Sequence, residues 1–202
     1  MYLKYLTLVF IMLTPSLGMA SSKIDDKTGW HVGIAPYGYL DNSIEYENGA
    51  KNSNTHLSSS VFWGVNFVNW LGLESTLFSS QSTEDDRSFV ESAAFISLTV
   101  TPKLTYHIQP RVALYVKAGY AFTGYVEEYD ANLNDGEKEI WMGTLPTYAL
   151  GAEFSLFKGV KLRAGYDRLF GTLVNDEEDN GVSFSDYKVD AENYNISVHY
   201  QF

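Results

Sequence analysis

The last nine residues of the chain alternate without interruption. Tyr194, Ile196, Val198, Tyr200 and Phe202 fall on one side, and Asn195, Ser197, His199 and Gln201 on the other. Successive strand side chains point to opposite faces, so the stretch reads as a strand with one apolar and one polar wall. The same period-two pattern recurs seven times upstream. Residues 29–39 set Trp30, Val32 and Ile34 against His31, Gly33 and Ala35, with a bulge or phase slip expected at Pro36, which cannot donate to a ladder. Residues 56–67 set Val61, Trp63, Val65 and Phe67 against Phe62, Gly64 and Asn66, and residues 71–77 set Leu71, Leu73 and Leu77 against Gly72, Glu74 and Thr76. The longest run, 89–107, puts Ala94, Ile96, Leu98, Val100, Pro102, Leu104 and Tyr106 opposite Ser97, Thr99, Thr101, Lys103 and Thr105. Three further strands are expected over 112–123, 141–157 and 160–167.

The connections alternate long and short. Polar stretches at 41–54, 82–88, 127–140 and 172–190 read as loops, and 68–70, 108–111 and 158–159 as tight turns, Lys158-Gly159 being a two-residue hairpin. Eight strands in this rhythm predict an all-β fold: an eight-stranded antiparallel up-and-down transmembrane β-barrel with short periplasmic turns, long extracellular loops and both termini in the periplasm. A secreted soluble eight-stranded barrel is the alternative, and the glycines separate the two. Gly33, Gly64, Gly72, Gly119, Gly151 and Gly165 all lie on the polar face, the face that must fit inside a narrow tube, while Trp, Tyr, Leu and Val occupy the other, suited to lipid. The outward face supplies the expected membrane-facing aromatics Trp63, Tyr106, Tyr120, Tyr148, Tyr166, Tyr194, Tyr200 and Phe202.

Composition adds compartment. A charged start at Lys4, an apolar run to Leu13 and the small residues Gly18 and Ala20 predict a cleaved signal peptide over 1–20, with the barrel domain over 21–202. The apolar run is too short to span a bilayer, and Pro15 interrupts it. There is no cysteine, so no disulfide framework holds the exported chain. Aromatics make up 15% of residues, with 15 Tyr, which suits two aromatic girdles; the mean hydropathy of −0.16 is ordinary for a barrel that gives lipid only alternate residues.

The alternation turns Glu74, Lys103, Lys117, Glu153, Arg163 and Asp167 inward. Isolated charges in a narrow interior are costly, so these six are expected to pair. The hairpin Val68-Asn69-Trp70-Leu71-Gly72-Leu73-Glu74, the stretch Arg163-Ala164-Gly165-Tyr166-Asp167 and the aromatic strand closing on Phe202 resemble the small OmpA-like and OmpX-like outer-membrane barrels over residues 29–202. That resemblance implies the outer membrane of a Gram-negative bacterium, contact with its lipid and lipopolysaccharide, and recognition of the terminal strand by the barrel-assembly machinery. It also implies that Glu74, Lys103 or Lys117, Glu153 and Arg163 form a lumenal cluster that plugs or gates a thin water path. With nothing beyond Phe202, no peptidoglycan-binding domain is expected.

Net charge is −11, and the acids gather in the loops: Asp41, Glu45 and Glu47; Glu84, Asp85, Asp86 and Glu91; Glu127, Glu128, Asp130, Asp135, Glu137 and Glu139; Asp176, Glu177, Glu178, Asp179, Asp186, Asp190 and Glu192. An acidic crown argues against nucleic acid, whose phosphates need clustered Lys and Arg. Asp176-x-Glu178-x-Asn180-Gly181 opens like a calcium loop, but Tyr187 stands where the closing Glu belongs, and no metal-ligand or cofactor motif is expected elsewhere. His56-x-Ser58 is the one candidate base and nucleophile, as a lipid A-modifying barrel would need, yet its phase turns both residues inward, away from lipid. The expected function is therefore non-enzymatic: a structural or surface-interaction (adhesion-type) role for the acidic extracellular loops, toward an extracellular ligand or host surface. A narrow ion or small-solute channel gated by the lumenal cluster is the alternative. Intact-mass measurement of the membrane-inserted protein should place its first residue at Ser21; a mass that retains residues 1–20 would contradict cleavage.

Overall fold

The structure, a computed structural model, describes residues 28–45, 51–82, 90–129, 138–175, 178–179, 182–183 and 186–202. The expected signal peptide and half of the would-be calcium loop, Asp176, Asn180 and Gly181 included, lie outside them. The barrel strands are β1 (Gly29–Glu45), β2 (Lys51–Val68), β3 (Leu71–Ser82), β4 (Val90–Gln109), β5 (Val112–Tyr129), β6 (Lys138–Phe157), β7 (Val160–Leu173) and β10 (Tyr187–Gln201). Two short strands, β8 (Glu178–Asp179) and β9 (Val182–Ser183), pair with each other and take no part in the barrel sheet. All eight barrel strands pair antiparallel with their neighbours, and β10 pairs back onto β1 from His31↔Gln201 to Glu45↔Lys188, closing the sheet.

The strands tilt strongly. Following hydrogen-bonded partners once around, from Gly29 through Asn66, Gly72, Lys103, Lys117, Ala149, Asp167 and Asn193, the path returns to β1 at Leu40. The return lies eleven residues above its start, one of them being the extra residue of a bulge. Such a stagger is what closing a small barrel requires. The bulge sits at Ala35-Pro36, as the missing donor of Pro36 demands, and it reverses the phase of β1: Ile34 faces out before it, Tyr37 and Tyr39 face out after it.

Three stretches read as loops are in fact strand. β1 and β2 continue through 41–45 and 51–55, β5 and β6 through 127–129 and 138–140, and β10 begins at Tyr187. Their polar composition hid them, because above the membrane a strand no longer needs an apolar wall. Strands of 17 to 20 residues in β1, β2, β4, β5 and β6 far exceed the ~9–11 that cross a bilayer at a tilt, so the wall projects beyond the lipid at the long-loop end.

The outer surface marks where lipid stops. Tyr39, Tyr194 and Tyr166 are paired across β1, β10 and β7 in one row, and Tyr148 joins it through ring contacts with Tyr166 at 6.3 Å. Tyr166 is half-buried among these rings; Trp63 on β2 is half-buried too, while Tyr106 and Tyr120 stand exposed. In the next outward row charge returns as Asp41, Glu192 and Arg168. At the short-turn end Trp30, Tyr106, Tyr200 and Phe202 form the opposite border, Tyr200 and Phe202 meeting edge to face at 5.0 Å. From Tyr194 to Phe202 the outward run of β10 is apolar over roughly 20–25 Å of height at ~3.3 Å per residue and the usual tilt, matching a membrane band of that size.

The interior has two storeys. Near the short turns it is polar. Toward the long loops it is apolar, a core of Leu40, Ile44, Phe78, Phe95, Tyr125, Trp141, Leu145, Leu169, Leu173, Tyr187 and Val189. Trp141 stacks on Tyr187 at 4.2 Å and 15°, and Phe78 on Phe95 at 5.7 Å. Glu127, expected in the solvated crown, lies instead inside this storey, accepting a hydrogen bond from Tyr125 Oη at 3.0 Å. The inward glycines make room between the storeys: Gly151 and Gly165 face each other across β6 and β7, and a Cβ on either would come within 2.5 Å of Tyr115 Oη.

Two substitutions test this packing in urea unfolding of the refolded barrel. Trp141→Ala should cost about 3–5 kcal/mol, the usual loss for deleting a buried Trp. Gly165→Ala should cost about 1–3 kcal/mol by overpacking against Tyr115, and a matched Tyr115→Phe change, which removes the crowded oxygen, should recover part of it.

Candidate functional site: the lumenal ion-pair network

Short turns anchor the strands that bring in the charged side chains Glu74, Lys103, Lys117, Glu153 and Arg163. Glu74 lies in β3 just past the Asn69-Trp70 turn, Glu153 and Arg163 flank the Lys158-Gly159 turn as direct cross-strand partners, and Lys103 and Lys117 face each other across the Pro110-Arg111 turn. Like charges directly opposite are unfavourable. The two lysines resolve this by reaching for different carboxylates.

Glu74 is fully buried and is the hub. Arg163 grips it with both ends of its fork, Nη1 to Oε1 at 2.9 Å and Nη2 to Oε2 at 3.0 Å. Lys117 Nζ donates to Oε1 at 2.9 Å, and His31 Nε2 lies 3.0 Å from Oε2. Arg163 Nη2 also donates to Glu153 Oε1 at 2.8 Å, and Lys103 Nζ donates to that same oxygen. Asp167 closes the upper side, 3.4 Å from Lys117 Nζ and accepting from Asn195 Nδ2 at 2.7 Å. All six inward charges expected from the sequence are thus brought into one contact group, although Asp167 is only partly buried.

Four neighbours were not singled out in the sequence. His31 and His199 enter from β1 and β10 with ring centroids 5.7 Å apart, and Phe62 and Tyr115 carry the Arg163 guanidinium over their rings at 4.4 and 4.7 Å. Alternation puts Phe62 and Tyr115 on the inward face but gives them no role there; the glycines opposite them are the available signal for large inward rings. Above the network lies a cavity of about 30 Å³, bordered by Glu74, Lys117, Arg163, Asp167, Asn193 and Asn195 below and by Leu40, Phe78 and Leu169 above. That is room for about one water. The lumen is therefore occluded twice, by matched charges and then by the aromatic core.

His56 and Ser58 do not form a catalytic pair facing lipid. Both are buried inward, and Ser58 Oγ donates to Asn193 Oδ1 at 2.7 Å. Among the described residues no cluster of His, Asp or Glu is arranged to hold a metal ion.

Residues 9–202 match the family model of the outer membrane protein beta-barrel domain. The chain belongs to this family. It is an outer-membrane β-barrel, and in such barrels the short turns face the periplasm and the long loops the outside. No curated protein sequence matches it. Among solved structures, Neisserial surface protein A is similar with a TM-score of 0.63 at 15% identity, over 86% of this chain and 97% of that one. OprG from Pseudomonas aeruginosa gives 0.57 at 14% identity, over 87% and 97%. Ail, the attachment invasion locus protein of Yersinia pestis, gives 0.53 at 15% identity, over 86% and 99%. At such identities the likeness is one of fold.

Removing one partner from a buried ion pair typically costs about 3–5 kcal/mol, because the other charge is left uncompensated. Arg163→Ala should therefore lower the urea midpoint sharply, and Asp179→Ala, on β8 outside the barrel sheet, should leave stability within about 0.5 kcal/mol. Equal silence of both variants would mean that water solvates the lumenal charges.

Proposed function

We propose that this barrel works by its extracellular face, as a non-enzymatic surface-interaction protein, and that its lumen is a structural plug. The observation that carries this reading is the double occlusion of the lumen beneath a wall that projects above the aromatic row. A protein built to conduct would not fill its interior with stacked Trp141 and Tyr187. The strands carry the chain beyond the aromatic row before the acidic segments begin. Ion pairs brace that rim: Lys51 and Lys188 lie 3.2 and 3.5 Å from Glu45, whose carboxyl the Lys51 hydrogen bond holds below the usual range, and Lys138 lies 3.1 Å from Glu128. In this reading residues 1–20 are the export signal, and β10, ending beside Phe202, is the strand that the assembly machinery recognises.

Two similar structures carry names of the same kind, a surface protein and an attachment protein. Ail has also been solved with sucrose octasulfate, a heparin analogue. The loops here are acidic and would repel such a polyanion. The partner this chemistry suits is a basic surface, or an anionic one bridged by divalent cations.

Purified protein in planar bilayers should give no stable ohmic conductance; a steady conductance that Arg163→Ala alters would replace this reading with a channel. Exchanging residues 130–137 and 176–186, which lie between the barrel strands, for neutral loops should abolish binding of cells to a cationic surface while leaving the barrel folded by heat-modifiable gel mobility. Unchanged binding after both exchanges would remove the loops as the working surface.

A further inference from the structure

The periplasmic mouth differs in charge from the rest of the molecule. Between the Pro110-Arg111 and Lys158-Gly159 turns lies a cavity of about 230 Å³, much larger than the one above the network. Arg111, Lys158 and Lys161 line it together with His107 and Ser155, and among the described residues the only carboxylate in its lining is Glu153. That carboxylate is already engaged by Lys103 and Arg163 from the inner side. Lys161 reaches it only at 4.0 Å, and donates instead to Gln201 Oε1 at 2.6 Å. Among the described residues of the polar storey four cations, Lys103, Lys117, Lys161 and Arg163, meet three carboxylates, Glu74, Glu153 and Asp167. Lys161 stands at the floor of the mouth, and Arg111 and Lys158 add two more positive charges at its rim.

Both turns are held in place. Ser155 N donates to Arg111 O at 2.9 Å, and Gln201 N donates to Gly159 O at 2.7 Å. Gly159 has φ +77°, a conformation glycine adopts without strain, and its missing Cβ leaves room for Tyr200 against the turn. A concave cationic site with low-dielectric walls concentrates anions, and Arg and Lys together suit tetrahedral oxyanions in particular. The lip of the cavity is apolar, formed by Leu156 and Phe157, both exposed on the lipid side of the wall.

We propose that the periplasmic mouth is a binding site for a phosphate-bearing anion, gripped by Arg111, Lys158 and Lys161. A phospholipid headgroup of the periplasmic leaflet, with its chains along Phe157 and Leu156, and a soluble phosphate ester from the periplasm present the same chemistry. The site lies at the opposite end from the extracellular loops, so it stands or falls independently of the surface role.

The test uses the full barrel in maltoside micelles and in nanodiscs, read by amide chemical shifts of Arg111, Ser155 and Lys161. Titration of micelles with inorganic phosphate or glycerol 1-phosphate should give saturable shifts at these three positions if the ligand is soluble. Replacing part of a phosphatidylcholine nanodisc with phosphatidylglycerol should shift them, with no response in micelles, if the ligand is a headgroup. In whichever arm responds, Arg111→Gln with Lys158→Gln should weaken the apparent affinity at least tenfold, while Lys188→Gln at the far end should not change it. Both rim residues are solvent-exposed, and heat-modifiable mobility checks that the double variant folds; if it does not, the two single variants are compared instead. No saturable shift in either arm, or equal affinity in wild type and rim variants, overturns the proposal.

Discussion

Lipid offers the backbone no hydrogen-bond partner, so every N–H and C=O at membrane depth must be met by another strand, and the sheet must close. Here closure rests on the pairing of the first strand with the last, and the remaining features follow from its geometry. The eleven-residue return from Gly29 to Leu40 sets the tilt and hence a narrow lumen. A narrow lumen allows only small residues, or large ones placed opposite glycine, as Tyr115 is placed opposite Gly151 and Gly165. It also strips water from any charge it encloses, which is why Glu74 has an Arg, a Lys and a His within 3.0 Å.

The two storeys of the lumen solve the same filling problem by different means. Below, charge is matched with charge and the guanidinium of Arg163 covers the rings of Phe62 and Tyr115. Such a network need not be more stabilising than an apolar core of equal volume, but once present it is costly to break and it fixes the relative register of β3, β4, β5, β6 and β7. Above, stacked aromatics and branched aliphatics pack as in a soluble protein. Their burial gives the projecting part of the wall a core of its own where lipid no longer supports it.

Charge is distributed along the barrel axis in the same sense as function is proposed to be. The sequence between the long strands is rich in acids, the lumen is nearly balanced, and cations gather at the mouth beside the short turns. On the outer wall the change from the Tyr39–Tyr194–Tyr166 row to the Asp41–Glu192–Arg168 row takes a single step of two residues per strand, so the border with lipid headgroups is sharp on that side.

Period-two alternation alone determined the all-β class, the eight strands, the turn positions and the inward side of Glu74, Lys103, Lys117, Glu153, Arg163 and Asp167, because lipid and lumen impose opposite demands on adjacent residues. The bulge at Pro36 was legible for an equally local reason, a missing N–H. Alternation fails where those demands end. Above the membrane both walls are mixed: Trp141 and Leu145 point inward while Ile140 and Met142 point outward, so no hydrophobic contrast marks the face, and Asp41 to Glu45 read as loop. Leu40 and Ile44 join the core only because the bulge reversed their phase. The pairing of Lys117 with Glu74, 43 positions away in the chain, and the gathering of Arg111, Lys158 and Lys161 around one cavity depend on which residues the barrel's stagger brings to the same height. That stagger is a property of the closed sheet, fixed only when the last strand meets the first.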